Sequence, residues 1–264
     1  MNTTSIIIAA AILTAIGAIF GVVLTFASKA FHVDTDERIS KVAENLGGAN
    51  CGACGYPGCD ALAEAIVRGD APVDACTACG SEKTAAIARI MGVEVAARQD
   101  NVARVLCQGE KGIANERYRY IGYDSCHAAA ALSGGPKVCP YSCLGLGDCM
   151  DACHFGAIRI NNGIASIDPD KCAGCGNCAK ACPRSVISLM PRDTTVMVRC
   201  RNESVARTAR EACMKACIGC KKCERTCRYG AIRVENGYAS IDREKCTRCG
   251  ECAAACPCGC ITVE

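Results

Sequence analysis

Cysteine spacing constrains this chain more than any other feature of its sequence. Of its 264 residues, 27 are cysteine. The C-terminal part contains two regular runs, Cys217-x₂-Cys220-x₂-Cys223-x₃-Cys227 and Cys246-x₂-Cys249-x₂-Cys252-x₃-Cys256-Pro257. This spacing is typical of bacterial ferredoxins with two clusters, in which the fourth cysteine of each run binds the cluster of the other run. The two runs are therefore expected to fold as one unit that binds two [4Fe–4S] clusters and carries single electrons.

Two other uses of clustered cysteines fit this sequence less well. Disulfide scaffolds are usually short, secreted and even in cysteine count, whereas this chain is long and its count of 27 is odd. Zinc sites pair two Cys-x₂-Cys units, and three cysteines at two-residue intervals plus a fourth favour a cubane cluster. With no Trp, four Phe and seven Tyr, the chain builds a poor aromatic core, so metal binding is expected to supply much of its folding free energy.

The N-terminus contains an uncharged run of 22 residues, 6–27. As a helix it would span about 33 Å, enough for a bilayer core of about 30 Å. A cleaved signal peptide would need Lys or Arg before the run, and none is present. We therefore predict an uncleaved transmembrane anchor at 1–28. Since Lys29 and Lys41 follow the run, the positive-inside rule places the rest of the chain in the reducing cytoplasm of a bacterial cell.

Residues 29–100 are predicted to form a small domain with one cluster. Its glycine-rich segment contains Cys51, Cys54 and Cys59, and Cys76 follows as the fourth ligand. Cys79 is a rival for that fourth position. Helices are predicted at 60–67 and 81–98.

The remainder of the chain is a tandem repeat, which predicts two ferredoxin-like modules at 101–192 and 193–264. Residues 149–187 align without gaps on 223–261, with 22 identities in 39 positions. Both copies contain Asn-Gly between apolar runs, a strong hairpin signal. Each copy is therefore expected to form a cluster loop, a hairpin, a second cluster loop, a short helix and a closing strand. The predicted fold class is α+β.

The first copy departs from the usual run, because Leu146 stands where the second copy has Cys220. We predict that Cys139 replaces the missing ligand. Its counterpart in the second copy is Cys213, which is interpreted as a non-ligand since Cys220 is present there.

Crossed ligation then predicts five [4Fe–4S] clusters held by twenty cysteines. The N-terminal site is the set named above. The other four sets are Cys139, Cys143, Cys149 and Cys182 (first site); Cys153, Cys172, Cys175 and Cys178 (second site); Cys217, Cys220, Cys223 and Cys256 (third site); and Cys227, Cys246, Cys249 and Cys252 (fourth site). Seven cysteines remain and are interpreted as small buried apolar side chains: Cys79, Cys107, Cys126, Cys200, Cys213, Cys258 and Cys260.

The second module is basic, with thirteen Lys and Arg against nine Asp and Glu over 193–264. Five basic residues crowd the third site's loop: Lys215, Lys221, Lys222, Arg225 and Arg228. Two interpretations stay open. The charge either balances the anionic clusters or forms a docking surface for an acidic electron donor.

An anchor helix, a one-cluster domain with C-x₂-C-x₄-C-x₁₆-C and ferredoxin-like modules together resemble the B subunit of the Rnf complex, over essentially the whole chain. Rnf complexes are bacterial membrane oxidoreductases that pass electrons from reduced ferredoxin to NAD⁺ and export Na⁺ or H⁺. The resemblance implies that this subunit accepts electrons from ferredoxin and relays them to membrane and peripheral subunits that carry flavin and Fe–S centres. It also implies the twenty ligands named above and no nucleic-acid partner.

The residues themselves indicate neither a flavin nor an NAD⁺ site, since no G-x-G-x-x-G follows a strand, and no acid–base constellation predicts a bond-making active site. Two rival hypotheses remain. One is an electron-transfer subunit of another membrane reductase, and the other is a zinc-stabilised interaction protein without redox activity.

Overall fold

The computed structural model describes residues 3–30, 36–96 and 99–264, and within the first helix it describes the side chains of 12–27. The helices are α1 Thr3–Ala30, α2 Glu37–Asn45, α3 Cys59–Arg68, α4 Ser81–Met91, α5 Cys126–Ala131, α6 Asp148–Asp151, α7 Asn177–Lys180, α8 Ala206–Ala212, α9 Lys222–Thr226 and α10 Glu251–Ala255. The strands are β1 Asn101–Val105, β2 Ile158–Asn161, β3 Ile164–Ile167, β4 Ile187–Pro191, β5 Val196–Val198, β6 Ile232–Glu235, β7 Tyr238–Ile241 and β8 Ile261–Val263.

The N-terminal helix α1 carries exposed apolar side chains, including Leu13 and Phe20. Across the described part of the chain, no helix has the length and apolar character that crossing a membrane requires. On this finding the predicted transmembrane anchor at 1–28 is wrong. The side chain of Lys29, which supported the predicted orientation, lies outside the described residues.

Three helices, α2 to α4, build the small domain that follows α1. Its apolar core includes Val42, Leu62, Ile66 and Ile87, and the helix predicted at 60–67 is confirmed as α3. Helix α4 is shorter than the prediction of 81–98, because the chain turns into the left-handed region at Gly92 (φ 69°) and the helix ends there. Residues 97–98 lie outside the described part of the chain.

Each of the two repeats forms the same pair of two-stranded antiparallel sheets. In the first repeat β1 pairs with β4 and β2 with β3, and in the second β5 pairs with β8 and β6 with β7. The β2–β3 register pairs Asn161 with Ile164 and leaves Asn162-Gly163 as a two-residue turn with φ of 47° and 77°. Positive φ at both positions is the requirement of a type I′ turn. Both hairpins are thus confirmed, and so is the order of loop, hairpin, loop, short helix and closing strand.

The two repeats contact each other through backbone hydrogen bonds. The amide of Asn115 donates to the carbonyl of Ala212 at 2.9 Å, and the amide of Met214 donates to the carbonyl of Ile113 at 3.0 Å. These bonds connect the long loop after β1 to the end of α8. The predicted domain limits at 100/101 and 192/193 stay a prediction.

Candidate metal centres

Four short helices position the third cysteine of each cysteine run. Each helix follows one residue in the left-handed region, which is Gly147 before α6, Gly176 before α7, Lys221 before α9 and Gly250 before α10. The cysteine is the second residue of its helix in every case, and its side chain is only 6–7% exposed. These four cysteines are Cys149, Cys178, Cys223 and Cys252. A sharp turn followed by one helical turn therefore points one thiol of each run into the core.

The predicted second site is assembled around Cys178. Burial and the negative charge of Cys172, Cys175 and Cys153 raise the pKa of Cys178 to about 12. All four cysteines of that set thus lie within electrostatic range of one another. The amide of Ala103 on β1 donates to Sγ of Cys172 at 3.3 Å, so the first strand of the module contributes to this group.

The predicted third site surrounds a cavity. Burial and the negative charge of Cys217, Cys256 and Cys220 raise the pKa of Cys223 to about 11. All four cysteines line one cavity, together with Cys258 and Cys260. Cys220 is exposed, whereas Cys217 and Cys223 are buried, so the site reaches the protein surface at one corner.

The predicted fourth site is also brought together. Burial raises the pKa of Cys252, and the negative charge of Cys246 and Cys249 adds to that shift. Cys227 packs against the same apolar core as Cys252. Cys249 is exposed.

At the predicted first site the structure places a different cysteine beside the set. Burial and the negative charge of Cys143, Cys126 and Cys182 raise the pKa of Cys149 to about 12. Cys126 lies at the first position of α5, buried in a cluster against which Leu146 packs. It thus occupies the space beside the residue that replaces the missing cysteine.

Helix α5 is held in place by one carboxylate. Asp148 accepts hydrogen bonds from the amides of Cys126 and His127 at 2.7 and 3.1 Å, and from the hydroxyl of Ser125 at 3.1 Å. Burial opposes ionisation of Asp148, but these bonds and the His127 side chain outweigh it and lower its pKa. Asp148 lies next to Cys149, so this carboxylate connects Cys126 to the run that contains Cys143 and Cys149.

Cys139, which the spacing assigned to the first site, lies elsewhere. Burial raises its pKa to about 11, and the charges of Cys107 and Cys213 act in the same direction. Cys139 therefore faces cysteines that were interpreted as non-ligands. The physical reason is the path of the chain after β1, which brings α5 rather than residue 139 to the gap beside Leu146.

In the N-terminal domain the glycine-rich loop and Cys76 meet in one core with Cys54 and Cys59. A hydrogen bond from the Cys79 thiol lowers the pKa of Cys76 to about 5, and the same contact and burial raise the pKa of Cys79. The contact therefore favours ionisation of Cys76 over that of Cys79, and the thiolate is the form that binds metals.

This domain docks on the second site. The side-chain amide of Asn177 donates to the carbonyl of Cys51 at 2.9 Å, and Nζ of Lys180 donates to the carbonyl of Ala53 at 3.3 Å. The hydroxyl of Thr77 donates to the carbonyl of Cys175 at 3.4 Å. The N-terminal set and the second set are therefore neighbours.

The donor chemistry of these groups suits iron–sulfur clusters. Several buried thiols that raise one another's pKa need a cation in their midst before they can ionise, and iron supplies that charge because thiolates are its ligands. In the described part of the chain, no group of three or more His, Cys, Asp or Glu side chains is placed to hold one metal ion. In a cubane each thiolate binds a different iron atom, so its ligands surround a cluster instead of a single ion.

Sequence reasoning missed Cys126 and the group around Cys139. Cys126 stands 17 residues before Cys143, outside any regular spacing. Its one local signal is the helix start that Ser125 caps by accepting a hydrogen bond from the amide of Ala128.

Comparisons with known proteins agree with this geometry. Three families match: an Fe-S cluster family at residues 46–78, a 4Fe-4S binding domain at 165–188 and a 4Fe-4S dicluster domain at 216–260. The first match includes Cys76 and ends before Cys79. These matches mean that the chain binds iron–sulfur clusters of the 4Fe–4S type.

Several relatives match over nearly the whole chain, and each is the B subunit of an ion-translocating oxidoreductase complex. That of the Na⁺-translocating ferredoxin:NAD⁺ oxidoreductase complex of Acetobacterium woodii is 46% identical over 98% of this chain and 78% of its own length. That of the ion-translocating oxidoreductase complex of Methanosarcina acetivorans is 42% identical over 94% of both chains. That of the proton-translocating ferredoxin:NAD⁺ oxidoreductase complex of Clostridium ljungdahlii is 38% identical over 99% of this chain and 93% of its own length.

Proposed function

The chain belongs to the family of B subunits of ion-translocating oxidoreductase (Rnf) complexes, and from that premise we propose where it receives electrons and which residues hold its clusters. It is an iron–sulfur electron-transfer subunit of a ferredoxin:NAD⁺ oxidoreductase complex, and it works with the other subunits of that membrane-associated assembly. The oxidoreductase is the complex as a whole.

The cysteine sets of the second, third and fourth sites hold one [4Fe–4S] cluster each, and the N-terminal set holds another. Cys126, Cys143, Cys149 and Cys182 hold the cluster of the first site, with Cys126 in the place first assigned to Cys139. When bound, such clusters accept and release one electron at a time. Each thiol binds as a thiolate and gives up its proton. The grouping of thiols within electrostatic range supports these sets.

Reduced ferredoxin docks at the third site. Cys220 is exposed there, and the neighbouring side chains of Lys221, Lys222, Arg225 and Arg228 are exposed as well. A cationic surface around an accessible ligand accelerates the approach of an acidic partner. The exposure of Cys220 among these cations is the single observation that carries the proposal.

From this subunit the electrons pass to subunits that carry flavin and further Fe–S centres. The cysteine-rich domains lie on the cytoplasmic side of the membrane, because their thiols must stay reduced to bind iron. Reduced ferredoxin is found in the same compartment.

Charge reversal tests the docking surface in the assembled complex. We expect the triple substitution Lys221→Glu, Lys222→Glu and Arg225→Glu to slow reduction by ferredoxin by about tenfold or more at low salt, and the difference to shrink as salt rises. The rate is measured by stopped-flow absorbance at several salt concentrations.

A matched control reverses three exposed cations of the first module. Arg119→Glu, Arg159→Glu and Lys171→Glu change the net charge by the same amount, at positions that are also exposed, and should leave the rate near that of the wild type. Equal rates for both triple variants would show that the donor docks elsewhere.

A further inference from the structure

Four cysteines outside the five sets proposed above line one cavity between the two ferredoxin-like modules. They are Cys107, Cys139, Cys200 and Cys213. Three of the four are 7–9% exposed and the fourth, Cys200, is half-buried. The cavity at the third site, which carries a ferredoxin spacing, is lined by six cysteines: the four of that site together with Cys258 and Cys260. Both cavities are thus lined by at least four cysteines.

Each module contributes the same pair of positions to this cavity. Cys107 lies two residues after β1, and Cys200 lies two residues after β5, the matching strand of the second module. Cys139 lies four residues before Cys143, and Cys213 lies four residues before Cys217. The cavity is therefore built from equivalent positions of the two copies.

Cys107 and Cys200, the thiols that follow β1 and β5, accept equivalent backbone hydrogen bonds. The amide of Cys143 donates to Sγ of Cys107 at 3.4 Å, and the amide of Cys217 donates to Sγ of Cys200 at 3.2 Å. Cys143 and Cys217 are themselves equivalent positions of the two repeats. Amide donors aimed at sulfur stabilise thiolates and cluster sulfurs.

Polar groups around the cavity suit an anionic occupant. Asn202 is 1% exposed, and its side-chain amide donates to Sγ of Cys139 at 3.5 Å. Lys137 is 3% exposed, and its Nζ donates to the carbonyls of Gly109, Cys143 and Gly163 at 2.6, 2.8 and 2.9 Å. Those carbonyls carry no net charge, and the charge of Lys137 acts on Cys143 of the first site as well as on Cys213. Arg199, Arg201 and Lys215 line the cavity itself, so cationic side chains surround the place that a cluster with four thiolates would occupy.

We propose that Cys107, Cys139, Cys200 and Cys213 hold a sixth [4Fe–4S] cluster at the junction of the two modules. The inference rests on the proposed function, because it requires that the chain binds [4Fe–4S] clusters at its other cysteine sets. Two ligands from each module make the cluster a bridge, because its binding free energy then fastens the modules to each other. It also places a redox centre between the first and third sites, which belong to different modules.

The test is the iron content of the full chain purified without oxygen. Six cubanes give about 24 iron atoms per chain and five give about 20, a difference that native mass spectrometry and iron and sulfide analysis resolve. The double variant Cys200→Ser and Cys213→Ser should lose about four iron atoms. The same change at Cys258, which lines the third-site cavity but is not one of the proposed ligands there, should lose none.

A second variant probes the site without removing a ligand. Asn202→Leu should keep the wild-type iron content and shift the reduction potential of one cluster to a more negative value, since a hydrogen bond to its sulfur is lost. EPR-monitored redox titration measures that shift, which a purely structural role of Asn202 would not produce.

The possible outcomes distinguish a failure of the sixth cluster from a failure of the proposed function. A wild-type chain with about 20 iron atoms, a double variant that keeps its full iron, or a single zinc ion in place of the cluster would overturn the sixth site and leave the proposed function standing. An iron-free chain would overturn both. If the double variant does not fold, the iron count of the wild type still decides.

Discussion

The loop of the first site packs so closely on the neighbouring hairpin that a single methyl group is expected to disrupt it. Gly145 lies between the first two ligands of that loop at φ 71°, and a Cβ there would meet the carbonyl carbon of Gly163 at 2.5 Å and its oxygen at a shorter distance. That oxygen also accepts the hydrogen bond from Lys137. Gly145→Ala must therefore displace the hairpin turn or the cluster loop.

The size of the effect follows from two costs. A left-handed conformation costs an L-residue about 1–2 kcal/mol, and relieving a backbone overlap costs about 1–3 kcal/mol more. The expected loss is thus about 2–5 kcal/mol, or a fall of about 4–20 °C in the midpoint of thermal unfolding. The assay is anaerobic heating while the visible absorbance of the clusters is followed.

Substitutions at two other glycines serve as controls for this prediction. Gly156 has φ 60° and no atom within 4 Å of the position that a Cβ would take, so Gly156→Ala carries only the conformational cost. Gly219, the counterpart of Gly145 in the second module, would bring its Cβ to 3.2 Å from the oxygen of Gly237, an intermediate case. The expected order of destabilisation is Gly145, then Gly219, then Gly156. The same midpoint for Gly145→Ala and Gly156→Ala would refute the close packing on which the expected loss rests.

Two further predictions concern contacts that position ligands. Asp148→Asn should lower the thermal midpoint at pH 7 by an amount equal to about 1 kcal/mol, because the amides of Cys126 and His127 lose a charged acceptor. The pKa of Asp148 is lowered in the folded protein. Its contribution to stability is therefore fully present above the pKa of the unfolded chain, about 4, and is lost as pH falls toward the pKa of the folded protein. An unchanged thermal midpoint in the variant at pH 7 would contradict this. Asn177→Ala removes the hydrogen bond to the carbonyl of Cys51, so it should slow electron exchange between the N-terminal domain and the first module without loss of iron. Rapid-freeze EPR measures that exchange, and an unchanged rate would show that this contact does not hold the two sites together.

Local geometry explains why much of the fold could be predicted from the sequence. A two-residue Asn-Gly turn needs only its own two residues to adopt positive φ, so both hairpins were predictable and are present. Local spacing also underlies the predicted second, third and fourth sites, whose ligands lie at fixed short intervals along one repeat. Helix α4 was overestimated because apolar periodicity continues past Gly92, where the backbone turns.

The first site could not be completed from the sequence, since Cys126, the cysteine that we propose as its fourth ligand, lies in a segment without a regular spacing. Leu146 shows that a ligand is missing but not which residue replaces it. Cys126 and Cys139 both precede the run, and only the packing of α5 against Leu146 distinguishes them. The transmembrane anchor was predicted from a run of uncharged residues, and in the described part of the chain no helix has the length and apolar character that a membrane span requires.

The sequence by itself determined the chemistry of this protein, because the intervals within a cysteine run are set by the loop that wraps a cluster and need no distant residue. Only the tertiary structure decided which partners surround Cys107, Cys126, Cys139, Cys200 and Cys213. Cys107, Cys139, Cys200 and Cys213 come from segments far apart in the chain and line one cavity between the modules, whereas Cys126 is positioned by the hydrogen bond from its amide to Asp148. Short-range spacing cannot encode such meetings, since they depend on how two folded modules pack against each other.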